Sequence, residues 1–310
     1  RTRPRQPKHG LTVITAVQRK AQENRGTLFV EDGEVIATDS FPGEQFVMRI
    51  RAPLCAQAAK PGNFVHISCH ELRPMRRPMS IMRANDDWIE ILFKIVGDGL
   101  HLLSKKQPGD SVNVLGPIGR PFSTSSERPN VLLIGGGVGI PPMVFVADDL
   151  RNRDGNWQPL AILGSEVPFP FKLVSSTLAT PWLDAAIDKS MPLLESWGIP
   201  TRLATLAGFE GCYDGYVTDL ADRWLSTLPA DELAGTEIFA CGPTPMLRAV
   251  ATLAANYDLP CQVSLEEYMA CAVGGCAGCT VRIRTPDGPA MKRVCVDGPV
   301  FDATTVVWEP

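Results

Sequence analysis

Four cysteines near the carboxyl end, Cys271, Cys276, Cys279 and Cys295, stand in a C-x4-C-x2-C-x15-C pattern. Three thiolates so close together require a loop curled about one centre, and the residues between them (Ala272, Val273, Gly274, Gly275, Ala277, Gly278) are small. Small residues let backbone N–H groups approach sulfur, which stabilises anionic sulfides and helps set the potential of an iron–sulfur cluster. The x4 and x2 gaps match plant-type [2Fe–2S] spacing, whereas zinc is more often held by paired C-x2-C knuckles. A structural zinc and unligated core cysteines are the alternatives. The other five cysteines are scattered, and an odd total of nine without framework spacing argues against a secreted disulfide scaffold.

A second candidate is the glycine turn Gly135, Gly136, Gly137 and Gly139, which follows an apolar run and opens a helical stretch. Glycines let a backbone pass close to a pyrophosphate, whose charge is favoured at a helix N-terminus. The pattern is G-x-G-x-G rather than the dinucleotide fingerprint, with Ile140 where the last glycine would stand. A tight turn without a ligand is the plain alternative. Further on, Cys241, Gly242 and Pro243 fall just past the end of another strand-like run, where ligands of open α/β sheets bind. In the first third, Arg77, Pro78, Met79 and Ser80 follow Arg76. A guanidinium there suits bidentate phosphate binding, and proline stiffens the turn presenting it. His66, Ser68 and His70 would share one strand face around Cys69. Metal binding there lacks a fourth ligand, so a structural strand is the better reading.

Ordered elements have to hold these groups, and the texture of the chain changes along its length. Residues 20–122 read as short β-branched or aromatic runs (Phe46–Ile50, Asn63–Ser68, Trp88–Ile95) separated by Pro-Gly and Asn-Asp turns, an antiparallel barrel. Residues 123–130 are polar and read as a linker. Residues 131–263 alternate strand and helix, which implies a parallel-sheet α/β domain. Residues 264–310 are loop-rich and too few for a large core, so a metal staple would be useful there. The arm 1–19 is basic. The first 20 residues hold six Arg or Lys and no acid, and the remaining 290 carry 24 basic against 34 acidic residues. That body is a poor nucleic-acid binder. Apolar residues at 45% and charged at 21% exclude a disordered or fibrous chain, and no run approaches the ~20 apolar residues of a membrane span.

Taken together, Ser264–Cys279 and Lys292–Phe301 resemble the cluster domain of the electron-transfer subunit of class 1B dihydroorotate dehydrogenase, within the ferredoxin reductase superfamily. The resemblance covers about residues 20–310. It implies an FAD-binding barrel, an NAD-binding domain and a [2Fe–2S] domain, in a cytoplasmic enzyme of pyrimidine biosynthesis. Arg77 would hold the FAD diphosphate, with Met79 and Ser80 against the isoalloxazine and Pro78 within the same motif. Leu92, Phe93, Lys94, Gly99 and Leu100 fall on two further FAD motifs. Gly135, Gly136, Gly137 and Gly139 match the nicotinamide-nucleotide turn, and Cys241, Gly242 and Pro243 the motif beside the nicotinamide.

Two positions depart from the family pattern. Leu100 replaces a threonine, and Thr205–Phe209 replaces an acidic stretch that serves nucleotide recognition. Nothing in the chain forms a second flavin-bearing barrel, so a separate catalytic flavoprotein subunit is the expected partner in a hetero-oligomer. Another partner, of hydrogenase, sulfide or glutamate synthase type, and a non-redox metal-stabilised module are the competing readings. The chemical logic is independent of the family. A nicotinamide delivers electrons as a hydride pair, a [2Fe–2S] centre takes them singly, and a flavin does both.

Overall fold

The structure, a computed structural model, describes residues 27–71 and 73–308. The basic arm therefore lies outside the described residues. Six strands close an antiparallel barrel in the order β1-β2-β5-β4-β3-β6. They are β1 (Phe29–Phe41), β2 (Gln45–Arg51), β3 (Phe64–Ser68), β4 (Arg77–Ala84), β5 (Trp88–Lys94) and β6 (Ser111–Ile118). The period-two rule sets what lies inside: Val65 and Ile67 of β3 point into the barrel core with Val112 and Val114 of β6. Two short helices attach to the barrel, α1 (Pro53–Ala58) and α2 (Gly97–Leu103). The second sends Leu100 and Leu103 into the same core.

The expected alternation of strand and helix follows. A seven-stranded sheet has the order β12-β11-β8-β7-β13-β14-β17. Its parallel strands are β7 (Asn130–Gly136), β8 (Gln158–Gly164), β11 (Thr201–Thr205), β12 (Tyr213–Asp214), β13 (Thr236–Cys241) and β14 (Cys261–Ser264). Helices α3 (Ile140–Arg151), α5 (Val217–Leu225) and α7 (Thr244–Asn256) pack on it, with short α4 (Pro192–Ser196) and α6 (Ala230–Ala234) in the connections. In α5, Val217, Leu220, Ala221 and Leu225 are buried, the spacing of one helical stripe. The presumed linker is tied down. The Ser125 N–H donates to Glu237 at 3.1 Å, and Arg128 donates to the Ala234 and Thr236 carbonyls at 2.7 and 2.9 Å.

Residues 165–191 were not foreseen as an ordered unit. They form a small hairpin, β9 (Val174–Ser175) with β10 (Lys189–Ser190), clipped to the sheet by buried polar groups. Arg202 of β11 donates to the Leu178 carbonyl and the Thr180 hydroxyl at 2.8 and 2.7 Å, while Glu195 accepts from Ser176 and Thr177. At the carboxyl end β15 (Thr280–Thr285) pairs with β16 (Gly288–Arg293). Then β17 (Val300–Asp302) returns to the large sheet as its antiparallel edge, alongside β14.

Candidate cofactor and electron-transfer sites

The cysteine loop curls through three residues with positive φ, two of them not glycine: Ala272 (54°), Gly274 (81°) and Ala277 (52°). Left-handed backbone at an alanine costs about 1–2 kcal/mol, and such strain collects where a site over-determines the chain. The sulfurs come in two pairs. Cys279 and Cys295 are buried with their Sγ atoms 3.3 Å apart. Cys271 and Cys276 form the other pair, and the Cys276 N–H donates to Cys271 Sγ at 3.4 Å. The Gly278 N–H likewise donates to Cys276 Sγ at 3.4 Å. Arg293 braces the loop, donating to the Gly274 carbonyl at 3.0 Å, and its own N–H donates to Asp297 at 2.9 Å.

Burial works against ionising Cys271, but backbone N–H groups of Cys276, Val273 and Gly275 prevail and bring its thiol down to about 7. Among the described residues no three His, Cys, Asp or Glu side chains gather as a shell for a single metal ion. Two thiol pairs lined by N–H donors fit a cluster that takes two thiolates per iron. Cys276 is exposed, so one edge of the loop meets solvent.

On the barrel, the Arg77 Nη1 donates to the Met75 and Arg76 carbonyls at 3.0 and 3.2 Å. Its Nε–Nη2 edge faces Gly99, where an added Cβ would lie 3.5 Å from Nη2. The bare glycine leaves that edge room for an anion. Across from the motif, His66 pairs with Pro78 and Phe64 with Ser80, so these four share the outer face of the wall. Met79, Phe93 and Leu100 are instead packed in the barrel core, Phe93 stacked on Phe46 at 5.5 Å. Their side chains are thus turned into the barrel rather than onto its outer face. A threonine hydroxyl at position 100 would face apolar neighbours, which explains how leucine is accommodated. Leu92 joins the cluster around α3, and Lys94 is half-buried.

His66 is completely buried, yet neither ring nitrogen has a hydrogen-bond partner. Burial, with the charges of Arg76 and Arg77, pushes its pKa down to about 4, so the imidazole is neutral. His70 instead lies in a bridge with Arg73, and no metal group forms around them among the described residues.

The glycine turn lies at the carboxyl edge of the sheet, as expected, but its glycines do different work. Gly137 has φ +54° with open space where a Cβ would go. Gly139 is packed against the chain after β13. A Cβ there would overlap the Cys241 carbonyl and sit 2.6 Å from the Gly242 nitrogen. The turn and the Cys241-Gly242-Pro243 segment thus form one closely packed floor, and Met246 lies against both Gly136 and Gly242. Burial pushes the Cys241 thiol up to about 12, despite its hydrogen bond with Ser264, so it is no thiolate.

A pocket of about 510 Å³ is lined by Phe41, Pro42, Phe169, Phe171, Phe209 and Glu210 among others, and none of the floor residues lines it. Three of its rings, Phe41, Phe169 and Phe171, were missed in the sequence. The dense Phe-Pro-Phe run just past β8 was the signal that could have found two of them.

Residues 266–307 match the model of the iron-sulfur cluster binding domain of dihydroorotate dehydrogenase B. The chain is 33% identical to the dihydroorotate dehydrogenase B (NAD(+)) electron transfer subunit of Desulforamulus reducens, covering 90% of this chain and 99% of that one. It is 34% identical to the subunit of the same name from Geobacillus thermodenitrificans, over 84% of this chain and 92% of that one. Among solved structures, a chain of an NADH-dependent reduced ferredoxin-NADP oxidoreductase superposes with a TM-score of 0.72 at 27% identity, covering 90% of each chain. Phthalate dioxygenase reductase shares the fold, with a TM-score of 0.53 at 13% identity over 88% of this chain and 78% of that one.

Proposed function

The chain belongs to the family of electron transfer subunits of dihydroorotate dehydrogenase B (NAD(+)), and on that premise we propose that it passes electrons between a partner dihydroorotate dehydrogenase catalytic subunit and NAD+. The observation that carries this reading is the pair of thiol pairs in the matched segment, set beside a barrel and a parallel sheet. Cys271, Cys276, Cys279 and Cys295 would hold the [2Fe–2S] cluster. Arg77, the backbone at Gly99–Leu100 and the outer face at Pro78 and Ser80 would hold FAD. The floor made by Gly135–Gly139 and Cys241–Pro243 would seat the nicotinamide nucleotide. When bound, the flavin would exchange a hydride as a pair with the nicotinamide and single electrons with the cluster.

For that work the protein needs no acid–base residue. Its part is to fix orientation and to surround each cofactor with donors or apolar walls. The domains follow the same division, with 20–122 serving FAD, 131–263 NAD and 264–310 the cluster. The partner would be a flavoprotein subunit in a hetero-oligomer, serving pyrimidine biosynthesis in the cytoplasm. No described helix is long and apolar enough to cross a membrane.

The test is reconstitution. The purified chain should oxidise NADH with ferricyanide and should not be reduced by dihydroorotate. Adding the catalytic subunit should make dihydroorotate reduce NAD+. Dihydroorotate-dependent reduction of the chain alone would overturn the two-subunit reading, as would a stable complex that fails to couple the two substrates.

A further inference from the structure

We propose that Arg293 is a positioning residue for the [2Fe–2S] centre, which it makes easier to reduce by holding the Gly274 carbonyl so that backbone N–H groups stay aimed at Cys271 and Cys295. The inference rests on the cluster reading above. Arg293 Nη1 donates to the Gly274 carbonyl at 3.0 Å. A trans peptide unit is planar, and its carbonyl and N–H point opposite ways. The N–H that shares a peptide unit with the Gly274 carbonyl belongs to Gly275. With the carbonyl turned onto Arg293, that N–H faces the other way, and it is directed at Cys271. A Cβ on Gly275 would lie 4.0 Å from Cys271 Sγ, which sets this peptide against the sulfur. The Gly274 N–H, on the other side of the same residue, is directed at Cys295. One turn of backbone thus serves a sulfur from each thiol pair.

That turn needs a latch from outside. Gly274 has φ +81°, and a Cβ there would lie 2.6 Å from Val296 Cγ2, so no side chain of its own can fix it. Arg293 is well anchored for the task. Its N–H donates to Asp297 at 2.9 Å, and its carbonyl accepts from the N–H groups of Val296, Asp297 and Gly298. It pairs with Thr280 in the β15–β16 register, next to Cys279. The sign of the effect follows from charge. An added electron makes the centre more negative, and N–H donors aimed at its sulfurs stabilise that state. The guanidinium's own charge contributes little, because the side chain is 39% exposed and sits beside the Asp297 carboxylate. What remains is its hold on the carbonyl.

The experiment uses the full chain purified anaerobically with its cluster, titrated with reductant and followed by the EPR signal of the reduced centre. Arg293→Ala should keep its iron and become about tenfold harder to reduce, a fall of ~59 mV for a one-electron couple. Arg293→Lys, which can still donate to the Gly274 carbonyl, should recover most of the loss. The fall should persist from about 0.1 to 1 M salt, over which the screening length drops from ~10 to ~3 Å. An arginine that only braced the fold would cost iron content and leave the potential of the remaining clusters unchanged.

A readout that needs no variant is pulsed EPR of the reduced wild-type chain labelled with ¹⁵N-glycine, which should show glycine nitrogens coupled to the centre. The coupling should weaken in Arg293→Ala. An unchanged potential in Arg293→Ala, a fall that vanishes at high salt, or a wild-type centre without glycine coupling would each overturn the assignment. A wild-type chain that holds no iron–sulfur cluster would instead sink the functional reading.

Discussion

Gly139→Ala tests how the nicotinamide floor is built. The φ of Gly139 is negative, so the substitution carries no conformational penalty and acts only through space. The added methyl would overlap the Cys241 carbonyl and lie 2.6 Å from the Gly242 nitrogen. Comfortable carbon contacts begin near ~3.5 Å, so the turn and the segment after β13 must part by about 1 Å. The opposing atoms are backbone, and no rotamer change relieves them. Overpacking of this kind costs about 1–3 kcal/mol, which lowers the melting temperature by roughly 2–12 °C in domains of this size.

The loss should also reach function. The apparent KM for NADH in the ferricyanide assay should rise at least about tenfold, while flavin and cluster absorbance stay at parental levels. Gly137→Ala is the control for stability alone, since a methyl on the open side of the floor would meet the bound nucleotide. Its methyl meets open space, and only the left-handed backbone costs about 1 kcal/mol. The reasoning fails if Gly139→Ala keeps the parental KM and melting temperature, or if Gly137→Ala lowers the melting temperature more.

Arg77→Ala should lower FAD affinity by about 1.5–3 kcal/mol, the range for hydrogen bonds to charged groups, measured by FAD retention on dilution. Cys276→Ser and Cys295→Ser should each reduce iron and labile sulfide well below two of each per chain, because a hard alkoxide matches iron–sulfur ligation poorly. Stoichiometric zinc in anaerobically purified protein would refute that. Glu237 is buried, and burial raises its pKa to about 7 against the Ser125 N–H and Arg128. Its folded pKa therefore lies above the unfolded one, and stability is lost as pH rises from about 4.5 through 7. Glu237→Gln should match the parent near pH 4.5 and exceed it above pH 7 by about 1 kcal/mol after allowing for screening, read from melting curves across pH. Ala277→Trp should slow coupled turnover with the partner several-fold while sparing NADH–ferricyanide activity, if the exposed edge of the cluster loop faces that partner.

Much of the architecture was legible because its signals are local. Short β-branched or aromatic runs between Pro-Gly and Asn-Asp turns announced the barrel, and Val131–Ile134, Thr201–Thr205 and Glu237–Ala240 lie within strands β7, β11 and β13. The cysteine spacing was legible for the same reason, since three ligands sit on one loop. What escaped depends on partners distant in sequence. Nothing around Arg202 announces that it reaches back to Leu178 and Thr180 to fasten a hairpin. The division of labour among the turn glycines was hidden too, because Gly139 answers to Cys241, a hundred residues away. The orphaned state of His66 is a property of its surroundings and has no sequence signature at all.

The return of β17 to the large sheet bears on how the chain can be cut. Its three residues pair with Gln262, Val263 and Ser264, covering what would otherwise be an open edge on β14. The Arg120 N–H at the barrel's end also donates to the Gly298 carbonyl at 2.6 Å. The carboxyl-terminal segment is therefore stitched to both preceding units rather than hung from one of them. A shortened chain ending near residue 264, designed as a two-cofactor reductase, would bare unpaired strand groups of the kind that recruit other chains. Such a truncation would be prone to aggregate, and the cluster segment is better swapped whole between β14 and β17, a stretch that carries all four cysteines, than removed with the tail.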